Sequence, residues 1–187
     1  MQFLRDALIT IVVIAGVLGI FVYARVRAGG LSADATPGAV ERTVASRLVR
    51  LSIPDEAQQK QNPFAADANA WKTAADHYAD HCAVCHGADG HGRTEMGENM
   101  YPKVPDLAAS SVQGLSDGAL FSIIQNGVRW TGMPAWKHEH SEEETWRLVS
   151  FMRKVPSLSS EDIEHLGGDH ERHHDHQDHE ERHEGGH

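Results

Sequence analysis

The chain has 187 residues, 40% of them hydrophobic, and carries 17 Lys and Arg against 27 Asp and Glu for a formal net charge of −10. That length allows one modest domain with extensions, and the acidic balance argues against nucleic acid as a partner. A domain of about a hundred residues buries only a small core by itself.

From the N-terminus, Ala7 to Ala24 reads ALITIVVIAGVLGIFVYA, eighteen residues without a charge, bounded by Arg5-Asp6 and by Arg25 and Arg27. This is near the lower end of the length that spans a bilayer. A cleaved signal peptide is the competing reading, with weak cleavage sites at Val22-Tyr23-Ala24 and Val26-Arg27-Ala28. The long apolar run and the arginines after it favour a retained transmembrane anchor over residues 1–28.

Residues 29–66 read as a linker. Gly29-Gly30 and Pro37-Gly38 break structure, whereas Val40, Val44, Leu48 and Leu51 recur at helical spacing with Arg42, Arg47 and Arg50 on other faces. Such a helix either lies on anionic headgroups or packs on the neighbouring domain, and the second is favoured. Pro54 ends it, and residues 58–63 are expected to be irregular.

The compact domain is expected over residues 67–158. Residues 68–81 contain no breaker, and Trp71, Ala75, Tyr78 and Cys82 fall on one face at intervals of four, three and four. Cys82-Ala83-Val84-Cys85-His86 follows and holds the only two cysteines of the chain. Two thiols three positions apart, followed at once by histidine, is the spacing by which haem is attached covalently with the imidazole on iron. Three other uses compete. A structural zinc site takes four Cys or His ligands and would have to recruit His86, His91 or the C-terminal histidines. A thioredoxin-like pair belongs beside a strand–helix–strand pattern, and no apolar strand run precedes Cys82. A disulfide across so short a loop gains little chain entropy. Haem is favoured. His77 and His81 read as solvated or hydrogen-bonded, and His91 as too near the motif to swing to the far side of a haem.

Gly87 and Asp89-Gly90 stop the helix, and a loop rich in Gly, Asp and Pro runs to Pro105-Asp106-Leu107. Ser116 is an N-cap for a short helix burying Leu120, Phe121 and Ile124, with Gly127 just past its end. A turn-rich run from Gly127 to Trp136 presents Met133 between Gly132 and Pro134. Ser141-Glu142-Glu143-Glu144 is a capping box. It opens a helix with Trp146, Val149 and Met152 along one face beside Leu148 and Phe151, closed by Arg153, Lys154 and Pro156. Met96, Met100 and Met152 read as gap-fillers. No strand of consequence appears, and the predicted class is all-α.

The haem motif after an amphipathic helix, Gly132-Met133-Pro134-Ala135-Trp136 about fifty residues on, and an aromatic-bearing last helix together resemble a class I cytochrome c domain. The resemblance is in particular to the membrane-anchored mono-haem cytochromes of bacterial respiratory chains, and covers about half of the chain. It implies a small all-α fold around one covalent haem c. It also implies thioether bonds from Cys82 and Cys85, His86 as proximal iron ligand and Met133 as distal ligand; His138 and His140, within seven residues of Met133, are the competing distal donors. A backbone acceptor for His86 is implied in the proline loop, Pro105 before Pro102. Tyr101, Arg129, Trp130 and Trp136 are candidates for haem packing or propionate contacts, with plain core packing the competing explanation for the aromatics. Thioether opposite imidazole raises the potential relative to two imidazoles. Two protein axial ligands leave no open position for a small-molecule substrate, so an electron carrier rather than an enzyme is expected.

Two arguments about topology collide. Arg25, Arg27, Arg42, Arg47 and Arg50 follow the span against Arg5 before it, which would put the domain in the cytoplasm. The resemblance implies the periplasmic side of the bacterial inner membrane, and long domains translocate largely regardless of charge. The periplasmic side is therefore expected.

Residues 159–187 form an acidic tail, with 2 basic against 10 acidic side chains; residues 67–158 carry 8 against 12. Seven histidines fall between residues 170 and 187: His170, His173, His174, His176, His179, His183 and His187. No apolar position follows Leu166, so disorder is expected. Imidazole with carboxylate suits zinc, nickel or copper in weak exchanging arrangements. A solvated acidic tail that changes charge near neutral pH is the competing reading. The function expected from the whole is one-electron transfer by a membrane-tethered mono-haem cytochrome c between redox partner proteins such as respiratory complexes. The alternatives are a haem c subunit of a multi-subunit respiratory oxidoreductase, or a metal-handling protein working through its tail.

Overall fold

The computed structural model describes residues 2–167; the tail histidines from His170 to His187, and the metal sites expected on them, lie outside the described residues. The chain divides into two units, residues 1–36 and the residues from Pro37 onward. In the first unit Gln2–Arg27 forms one helix, α1, about 39 Å long at about 1.5 Å per residue. None of its residues is buried. Among the described residues it is the one helix long and apolar enough to cross a membrane.

In the second unit, every described element is helical. The amphipathic spacing after Pro37 folds as α2, Ala39–Ser52, but its apolar stripe does not pack on the domain. Val40 is 78% exposed, Val44 50%, Leu48 57% and Leu51 81%. The helix is held instead by polar contacts, the Tyr101 hydroxyl donating to Glu41 and Arg50 donating to the Ser111 carbonyl at 3.4 Å. One helical turn, α3, spans Asp55–Gln58. The expected continuous helix over 68–81 is instead two pieces, α4 Ala70–Thr73 and α5 Ala75–His81, bent at Ala74. A second bend at Cys82 leads into α6, Ala83–His86. Two further single turns, α7 Glu95–Glu98 and α8 Ser110–Gln113, sit in the stretch read as loop. Then come α9, Asp117–Asn126, and α10, Glu142–Lys154.

Helix α10 organises the core. Its sequence starts it sharply: Ser141 Oγ accepts from the Glu144 N–H at 3.2 Å while the Glu144 carboxylate accepts from the Ser141 N–H at 2.8 Å. Two of the orphan donors of the first turn are satisfied in this way. Leu148, Val149 and Phe151 are at most 3% exposed. Phe151 stacks on Tyr78 of α5 with ring centroids 4.2 Å apart and leans on Trp71 of α4 at 6.5 Å. Trp146 stacks on Phe121 of α9 at 4.2 Å. At its C-terminal end Arg153 donates to the Gln113 and Leu115 carbonyls and to Asp117 at 2.5–2.8 Å, clasping the α8–α9 turn. Residues 160–167 add a last helical stretch, and Leu166, 2% exposed, joins the same core.

Gly118 brings α9 against α3. A Cβ there would lie 1.9 Å from the Ala57 carbonyl oxygen, so the contact is backbone to backbone. It is reinforced by Ser116, whose hydroxyl donates to the Gln58 carbonyl at 2.7 Å while also capping α9. Gly118→Ala is expected to destabilise the domain by about 1–3 kcal/mol through overpacking, measured as a lower denaturant midpoint. An unchanged midpoint would mean that α3 is not seated on α9.

Candidate haem-binding site

The motif residues lie on a turn that the core positions tightly. Tyr78 is 2% exposed, and its hydroxyl donates to the Gly87 carbonyl at 2.7 Å. That bond reaches from α5 over the whole motif to the residue that ends α6. Burial, with the neighbouring Cys82 adding to it, pushes the Tyr78 hydroxyl pKa up, so it stays a donor. Thr94, the N-cap of α7, donates to the Cys85 carbonyl at 3.1 Å, and the Gly92 N–H donates to the His86 carbonyl at 2.7 Å. The backbone carbonyls of Cys85, His86 and Gly87 are thus each tied to a separate neighbour.

Within this frame Cys82 and Cys85 are both free thiols and both half-buried. Cys82 packs against the hydrophobic core, and burial, with the neighbouring Cys85 adding to it, pushes its thiol up to about 12. Burial raises Cys85 as well. The pair is therefore protonated near neutral pH and is not poised as a thiolate redox couple. Burial lowers the pKa of His86, while the Pro105 carbonyl beside the ring opposes that shift. His86 Nδ1 is buried and makes no hydrogen bond of full geometry, so the Pro105 carbonyl is the one backbone group available to orient it. A neutral imidazole presents a lone pair to a metal.

Met133 stands on a different element. Gly127 ends α9 with φ +64°, and a Cβ on it would lie 2.7 Å from the Met133 carbonyl oxygen. The Val128 N–H donates to that same carbonyl at 3.1 Å, and the Met133 N–H donates to Thr131 Oγ1 at 3.1 Å. Beyond it, the Trp136 and Lys137 N–H groups donate to the Ile124 and Gln125 carbonyls at 3.2 and 3.1 Å. The Met133 side chain packs, half-buried, against the same core as Cys82. The donors present, two free thiols, a neutral imidazole and a thioether, suit a covalently bound haem.

The other sequence candidates separate. Met96 is 50% exposed and so fills no gap; Met100 lies against Gly132, where a Cβ would meet its sulfur at 2.6 Å. Trp130 is 88% exposed with φ +62°, and Arg129 sits over its ring. Trp136 stacks on His140 at 4.6 Å. His140 is buried with its Nε2 2.9 Å from that of His77, which commits it to α5, while His138 is exposed. His91 pairs with Asp106 at 3.0 Å. The tethers from Thr94 and Gly92 were not legible in the sequence, because neither residue stands at a fixed distance from the motif.

Tyr78→Phe removes the hydroxyl that holds the Gly87 carbonyl and leaves a buried acceptor unpaired. The expected cost is about 1–3 kcal/mol, read as a lower unfolding midpoint; no loss would mean the Tyr78 hydroxyl does not anchor the motif. Residues 69–152 match the family model for cytochrome C oxidase, cbb3-type, subunit III. Such a domain implies covalent haem c and haem-based electron transfer. The matched segment, which carries the free thiols, His86 and the Met133 loop, is a class I c-type cytochrome domain.

Proposed function

We propose that the domain holds one haem c through Cys82 and Cys85, with His86 and Met133 as its axial ligands, and that it carries electrons one at a time. The observation that supports this most directly is the pair of free thiols followed at once by a half-buried His86 whose pKa burial lowers. When bound, the haem supplies the one-electron iron couple. The chain's own residues supply the frame. Tyr78, Thr94 and Gly92 fix the backbone of the motif, and the Pro105 carbonyl sets the His86 ring. Thr131 and Val128 hold the Met133 backbone. His86 and Met133 would both hold the iron from the protein and would leave no place on it for a substrate, which favours a carrier over a catalyst.

Helix α1 tethers this carrier to the membrane, with the domain on the periplasmic side of the inner membrane. Tethering raises the effective concentration of the domain near membrane-bound partners. A second reading is favoured by the matched family, whose description is an oxidase subunit. The domain then serves as a fixed haem subunit of a respiratory oxidoreductase. Solubilised membranes separate the two: a carrier is recovered by itself, whereas a subunit co-purifies with a catalytic partner. The histidine-rich tail supplies weak zinc, nickel or copper binding beside either role.

Met133→Ala is expected to keep a c-type reduced spectrum while the reduction potential falls by more than about 59 mV, a tenfold shift in a one-electron equilibrium. Optical redox titration of the holoprotein reads both. An unchanged potential would remove Met133 from the iron.

A further inference from the structure

Three imidazoles converge outside the proposed haem ligands. His77 and His81 stand four residues apart on one side of α5, and His140 comes in from the segment ahead of α10. Their ligand nitrogens all lie within 4.8 Å of one another. His77 Nε2 and His140 Nε2 are 2.9 Å apart. His140 is 5% exposed, and its Nδ1 is buried without a partner. The polar investment in burying this ring is therefore met through Nε2 alone, which faces His77. Trp136 stacks on His140 at 4.6 Å with the rings 12° apart and fixes its plane.

The electrostatics favour neutral rings. Burial lowers His77 and His140, and the neighbouring histidines push both the same way. Glu144 opposes that shift on both residues, so a carboxylate stands within electrostatic reach of the cluster. Beside His77 lies a cleft of about 420 Å³ lined also by Thr73, Ser141, Glu143, Glu144 and Arg147, with Arg147 engaged by Glu143 at 2.9 Å. Water and carboxylate oxygen are thus both at hand for a further coordination position.

We propose that His77, His81 and His140 form a binding site for a divalent transition cation, with Zn2+ the best fit and water or Glu144 completing the coordination. Three imidazoles at about 2.0–2.1 Å from a tetrahedral Zn2+ leave one open position. The ligand nitrogens already lie within 4.8 Å of one another, and His81, the exposed member, packs against His77, Trp136 and His140. For both Nε2 atoms to bind, the ring that carries the proton between His77 and His140 gives it up to solvent or shifts it to its own Nδ1. A bound ion would cross-link α5, which runs directly into Cys82, to the segment that follows the Met133 loop.

The test is Zn2+ added to the full-length holoprotein, with the unfolding midpoint as readout. An ion that binds only the folded state raises the midpoint, whereas binding indifferent to folding, as expected on the tail histidines, does not. The wild type is expected to gain stability with Zn2+. His81→Gln, at an exposed position that leaves the buried His77–His140 pair in place, is expected to lose that gain, and His138→Gln, on an exposed residue outside the cluster, to keep it. No rise in the wild type overturns the proposal. So does an equal rise in His81→Gln, or a loss shared by both variants. A low potential in Met133→Ala bears only on the haem assignment, so failure of either idea leaves the other standing.

Discussion

The stack of Phe151 on Tyr78 is the contact on which the site depends. Phe151 is fully buried in α10, and Tyr78 belongs to the short helix that runs into the motif. An aromatic pair of this kind is worth about 0.5–1.5 kcal/mol beyond the area it buries. Its larger consequence is positional. The same Tyr78 that stacks with its ring holds the Gly87 carbonyl with its hydroxyl, so the far end of the thiol-bearing turn is registered directly against α10.

The loop that carries Met133, the second half of the proposed site, hangs on the same helix by another route. Trp146 stacks on Phe121, which seats α9, and the last carbonyls of α9 receive the N–H groups that follow Met133. Thus α10 supports both the thiols and the thioether, each through one aromatic pair and a few backbone bonds. Arg153 at its end and the capping box at its start fix its length, so neither support slides along the axis. The apolar side of α2, by contrast, is held to this frame only by polar contacts and remains open.

The elements legible in the sequence were those with chemical punctuation. Ser116 with Gly127, and Ser141 with Glu144, mark the helix starts and stop that the fold contains, and the buried faces of α9 and α10 follow their apolar spacing. The single turns α3, α7 and α8 were not legible, because four residues are too few to show a period. The breaks at Ala74 and Cys82 lie in a stretch without Gly or Pro, so no local signal marks them. Periodicity says that a face of α2 is apolar but not what it meets, and that face is exposed rather than packed on the domain. Of the histidine cluster, the spacing of His77 and His81 was visible, but His140 reaches them only through the tertiary fold.

The central claim is that the two thiols hold one haem covalently, and the intact mass of the denatured holoprotein tests it most directly. The account predicts the mass of the chain plus one haem, with both Cys82 and Cys85 modified in the peptide that carries them. The bare chain mass, with haem released on denaturation or with the two cysteines found as free thiols, would contradict it.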